Sequence, residues 1–128
     1  MVLTMASKIW KMMLAWDLAL FERDIPDLGI REVVRLIKER VGSNPLYLSI
    51  DIDVLDPAFA PASGTPEAGG LSSRELLAIL RGINTLNIIS TDIVEVALIY
   101  DHAEITSIAA NHLVYEIISG WSKGRVKA

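Results

Sequence analysis

The 128-residue chain has no cysteine, so disulfides, a thiolate nucleophile and cysteine-ligated zinc or iron–sulfur sites are excluded. It has two histidines, so any metal would be held mainly by carboxylate oxygens. Positive charge is also short. Twelve basic against sixteen acidic residues give a net charge of −4, which repels phosphate and argues against a nucleic-acid partner. No run reaches the ~20 apolar residues that span a bilayer. The nearest, MVLTMASKIWKMMLAWDLALF, is broken by Lys8, Lys11 and Asp17, and no small-residue cleavage site follows it. The expectation is a cytoplasmic chain without signal peptide or membrane span. Hydrophobic residues at 52% and charged residues at 22% exclude long disorder.

The length suits one domain. Residues 1–21 stand apart. Drawn as a helix, Thr4, Ser7, Lys8 and Lys11 make one narrow polar stripe in an otherwise apolar cylinder that carries all four methionines. The reading is therefore an apolar N-terminal helix over 1–21 followed by an α/β segment over 22–128. Ile30, Val33, Val34, Ile37 and Val41 recur at helical spacing, and Gly42 follows as a C-terminal cap. LYLSIDIDV (46–54) reads as a buried strand, and DPAFAPASGTPEAGG (56–70) as a long loop of the kind that is usually functional. Ser72 and Glu75 form a capping box for the next helix. NIISTDIVEVAL (87–98) is a second buried strand, and Asp101 caps a final helix that Gly120 ends. This order implies parallel strands with crossover helices. Two strands make a poor sheet, so either the helix over 1–21 covers some of it, or other chains do, or the segment is part of a larger domain.

The chemistry gathers at SIDIDVLD (49–56). Side chains alternate on a strand, so Asp51 and Asp53 point to the same face, about 6–7 Å apart in Cα terms, at the end where open α/β sheets bind ligands. Neighbouring carboxylates repel, and a hard divalent cation relieves that repulsion. Asp56, followed by proline, reads as a turn residue. Several metal-site patterns contain D-x-D. A dehalogenase-type phosphatase needs a later lysine and an acidic pair, which VEVALIYDHAEIT does not supply. For a nucleotide-sugar transferase D-x-D alone is weak evidence. An EF-hand loop fails at its sixth and twelfth positions, Asp56 and Ala62.

SIDIDVLDPAFAPASGTPEAGG (49–70), followed in order by SSRELLAILRGI, DIVEV and YDHAEIT, closely resembles the C-terminal signature of the arginase/agmatinase (ureohydrolase) family. The resemblance runs from about Asp24 to Ile118 and looks most like the agmatinase branch. It implies the C-terminal part of a three-layer α/β/α fold around a parallel sheet, a binuclear Mn²⁺ centre, and hydrolysis of a guanidino compound, preferentially agmatine, to urea and an amine. Asp51 and Asp53 match metal-ligating aspartates, and Glu95 matches the carboxylate that holds the substrate guanidinium. Thr65 lies in the loop lining the cleft and is assigned to substrate binding. Gly69 and Gly70 permit a tight backbone path. In such a centre two metals share a bridging water and lower its pKa.

The departures set the limits. The family's Gly-Gly-Asp-His and Asp-Ala-His-x-Asp motifs are absent, and His102 and His112 replace neither. Leu98 and Ala62 stand where proline and glycine are usual. The expectation is a ureohydrolase fragment inactive by itself. The alternative is a non-catalytic interaction or oligomerisation partner derived from a ureohydrolase. Either way the partners expected are a small guanidino substrate and a second copy or full-length relative, with no nucleic acid and no membrane.

Overall fold

A computed structural model describes residues 2–5, 12–14, 18–20 and 27–125, with side chains from 27 to 122. Strands β1 (Val2–Met5), β2 (Met12–Leu14), β3 (Leu18–Leu20), β4 (Leu46–Asp51) and β5 (Ile88–Val94) form one sheet in the order β3-β2-β1-β4-β5. β1, β4 and β5 are mutually parallel, whereas β2 pairs antiparallel with both β1 and β3 and alone runs the other way. Helices α1 (Ile30–Val41), α2 (Ser73–Ile83) and α3 (Ile105–Arg125) accompany the sheet, with short 3₁₀ helices at Ile52–Val54 and Leu98–Tyr100. None of the described helices is long and apolar enough to cross a membrane.

Residues 1–21 are the main correction. Where described, they are strand and not helix: Val2–Met5 pairs in parallel with β4, from Val2 opposite Tyr47 to Met5 opposite Ile50. A short apolar run satisfies either element, and periodicity alone cannot choose. The open edge of β4 decides it, because each unpaired strand group there gains a partner. The sheet is consequently mixed instead of purely parallel. Lys8, Lys11 and Asp17 lie outside the described residues.

The core forms on one face of β4. Leu46, Leu48 and Ile50 are fully buried against Val33, Ile37 and Val41 of α1 and Leu76, Leu80 and Ile83 of α2. Tyr47, Ser49 and Asp51 alternate onto the other, half-buried face. Gly42 adopts φ 58° after α1, and its amide donates to the Lys38 carbonyl. The capping box forms as read: the Glu75 amide donates to Ser72 Oγ, and the Ser72 amide donates back to Glu75 Oε2 at 2.8 Å. Gly120 does not end the last helix. α3 runs on to Arg125, and Gly120 instead gives room to the Asn84 side chain, whose Cγ a Cβ would meet at 2.6 Å.

Candidate functional site

β4 ends at Asp51, two residues before the second aspartate of the motif. The Asp51 carboxylate accepts a hydrogen bond from the Asp53 amide at 3.0 Å, and residues 52–54 wind into a 3₁₀ turn. An aspartate that captures the amide two residues on competes with the strand ladder, which is why the strand stops here. The alternation argument for Asp51 and Asp53 thus holds only as far as Asp51. The turn, not the pleat, sets Asp53, which is 2% exposed.

Thr65 comes back from the long loop and donates its hydroxyl to Asp53 Oδ2. That contact ties Thr65, assigned from the sequence to substrate binding, to a carboxylate of the motif. Asp56 is the turn residue expected: it accepts from the amides of Ala58 and Gly69, both at 2.8 Å, and these hold its carboxyl below the usual range. Gly69 has φ 93°, and Gly70 passes so near the Asp56 backbone that a Cβ would lie 2.3 Å from its nitrogen. Both glycines serve the backbone path.

Glu95 follows β5 directly and takes φ 64°, a left-handed conformation rare for a side-chain-bearing residue. Its neighbour Val96 bridges Ser63, and the Ala97 amide donates to the Ala62 carbonyl at 3.1 Å. The Ala62 amide in turn donates to the fully buried Thr106 hydroxyl at 2.9 Å. These bonds fix residues 62–65 between the ends of β4, β5 and α3. The Asp51 carboxyl is pushed above its ordinary range, first by burial, with added repulsion from Asp53 and Glu95. The three carboxylates therefore share one electrostatic neighbourhood.

Two features escaped the sequence. Tyr47 donates its hydroxyl to Asp92 across the β4–β5 pair, which pushes the phenol up and holds the Asp92 carboxyl down. The alternation of Tyr47, Ser49 and Asp51 was the available signal. The packing of Glu95 over Gly64 had none. A Cβ on Gly64 would lie 2.8 Å from Glu95 Oε2. The histidines are elsewhere: His102 is exposed in a turn, and His112 sits on α3 with its ring 6.4 Å from Tyr115.

Among the described residues no group of three His, Cys, Asp or Glu side chains is placed to hold a metal ion. Two aspartates offer at most four oxygens, while each ion of the Mn²⁺ class takes about six ligands. The described donors do not fit a two-ion centre.

Parallel strands ending in acidic groups, with a strained glutamate set against a glycine loop, place a candidate site where α/β sheets generally bind ligands, at the strand C-termini. The particular class follows from comparison. The Arginase family model matches residues 17–120, and the chain belongs to that family. It is 62% identical over 97 residues to Putative agmatinase 3 of Schizosaccharomyces pombe, covering 76% of this chain and 24% of that protein. It is 48% identical over 94 residues to an Escherichia coli agmatinase, covering 73% and 31%. The structure of proclavaminate amidino hydrolase from Streptomyces clavuligerus superposes with a TM-score of 0.79 at 44% identity, over 82% of this chain and 35% of that one. The chain thus spans between 24% and 31% of the length of these curated relatives.

Proposed function

We propose that this chain is the C-terminal part of an agmatinase-type ureohydrolase that supplies the guanidinium-holding carboxylate, Glu95, and two aspartates, Asp51 and Asp53, to a site other residues must complete. The supporting observation is the gathering of these carboxylates at the ends of β4 and β5, with Asp51 feeling the charge of both others. A planar guanidinium pairs bidentately with a carboxylate, which orients its central carbon. Agmatine is the substrate named by overall resemblance, and the amine product and urea follow from it. Manganese belongs to this proposal as the family's metal. The described donors do not fit the full centre. The proposed setting is the cytoplasm, within polyamine metabolism.

In this reading the chain alone releases no urea. The test is agmatine hydrolysis by the purified protein with excess Mn²⁺, beside a no-enzyme control. The expected result is no difference between them. Urea above the control that disappears in Asp53→Ala would overturn it and would mean that a second copy, or residues 1–21, supplies the missing ligands. The reading also includes association with a second copy or a full-length relative. Leu98, Ile99 and Tyr100 are 69%, 80% and 62% exposed in a row, an apolar surface that water disfavours. Light scattering after size exclusion should give a mass above the 14.1 kDa monomer, and a monomer at high concentration would remove that part.

A further inference from the structure

We propose that Gly64 is the positioning residue for Glu95: its missing side chain leaves the space in which the Glu95 carboxylate is held for a guanidinium. This rests on the reading of Glu95 as the guanidinium-holding group. Gly64 is not among the glycines with positive φ, so its backbone does not require glycine. Close approach remains as the reason, and the atom nearest its absent Cβ is Glu95 Oε2, at 2.8 Å. The residues on either side of Gly64 are fixed from different directions. Ser63 bridges Val96, and Thr65 donates to Asp53. Gly64 therefore cannot slide aside when its neighbour moves.

Glu95 is likewise constrained. Its φ of 64° is strained for an L residue, and the bridge at Val96 with the Ala97–Ala62 hydrogen bond keeps it there. The side chain remains exposed, so burial does not hold its carboxylate. What limits that carboxylate is the floor beneath it, and Gly64 is that floor. A methyl group there meets the far end of a flexible side chain, so the fold can absorb it by displacing the carboxylate alone. Misplacing a bidentate partner by about an ångström removes most of its directional advantage while leaving its charge.

The experiment uses the whole chain. Agmatine is titrated while the Glu95 amide is followed by NMR, with 1,4-diaminobutane as a cation of equal charge lacking the guanidinium. The wild type should bind agmatine in preference to the diamine. Gly64→Ala should melt like the wild type yet bind agmatine about tenfold more weakly, nearly erasing that preference. Shortening the acid in Gly64→Ala/Glu95→Asp should restore part of it. Gly64→Ala with wild-type affinity and preference, in a background where Glu95→Gln abolishes binding, would overturn the positioning role alone. A Gly64→Ala chain that fails to fold would also overturn it, because the carboxylate was expected to yield. No agmatine response at Glu95 in the wild type would overturn the guanidinium reading and this role with it.

Discussion

The hydroxyl of Thr65 donates to the carboxylate of Asp53, twelve residues earlier in the chain. This bond joins the long loop to the turn after β4 and places a donor against a carboxylate that is 2% exposed. Hydrogen bonds to charged groups are among the stronger ones, and a buried group that loses one keeps its full desolvation penalty. Thr65→Val, which preserves shape and removes the hydroxyl, should lower unfolding free energy by about 1–3 kcal/mol. Thr65→Ser should recover most of it. Equilibrium urea denaturation checks both. Equal midpoints for Val and Ser would show that the hydroxyl contributes nothing at this position.

Asp101 governs the start of α3 in a pH-dependent way. Its carboxyl lies below the ordinary range because the Ser107 hydroxyl donates to it at 2.6 Å, with the Ser107 and Thr106 amides adding to the effect. A folded-state pKa below the unfolded one means the native state binds its proton less tightly. The stabilisation is therefore fully present above the ordinary aspartate value of about 3.9 and is lost as pH falls through the depressed value. Asp101→Asn should melt lower than wild type at pH 7, with the gap narrowing steadily from pH 4 to pH 2. A constant gap across that range would mean that the charge does not matter.

The neighbouring glycines of the loop should respond differently to the same methyl group. At Gly69 nothing lies within 4 Å of an added Cβ, and only the φ of 93° opposes it. At Gly70 the added atom would meet the Asp56 backbone nitrogen at 2.3 Å and the Leu55 carbonyl carbon at 2.6 Å. Backbone cannot rotate away as a side chain can. Gly69→Ala should cost about 1–2 kcal/mol, and Gly70→Ala at least about 3 kcal/mol, near the upper end for overpacking. Thermal melts of the two variants rank them, and the reverse order would refute the close-approach argument.

Much of this arrangement was legible because local chemistry and tertiary structure agreed. The apolar spacing from Ile30 to Val41, the capping box at Ser72 and Glu75, and the turn at Asp56 each follow from a few adjacent residues. The signature 49–70 located the acidic cluster. What was not legible depended on contacts distant in sequence. Val2–Met5 became a strand because β4 offered an edge 45 residues on in the chain. Asp53 left the strand because the Asp51 side chain took its amide, a choice that pattern alone leaves open. The left-handed turn at Glu95 is held by residues 62 and 63, and nothing in DIVEV announces it.

Gly120 provides the sharpest test of one such distant contact. In the interior of α3 a glycine should be a liability, since alanine there is worth about 1 kcal/mol more in helix propensity. If propensity were all that mattered, Gly120→Ala would stabilise. The added Cβ would instead meet Asn84 Cγ at 2.6 Å, Oδ1 at 2.7 Å and Nδ2 at 2.8 Å, just past the end of α2. The asparagine side chain has few bonds by which to retreat, and the buried packing of α3 on α2 through Leu113 and Ile117 resists separation. Gly120→Ala should therefore destabilise by about 1–3 kcal/mol, the usual range for forcing an extra carbon into packed structure. Asn84→Ala empties the opposing space. In that background the same Gly120→Ala change should become neutral or favourable. The double-mutant cycle should then give a coupling of about 1–3 kcal/mol, with each change relieving the other. Additive free energies from denaturant unfolding would show that the two positions do not touch, and that Gly120 is there for some reason other than the approach of Asn84.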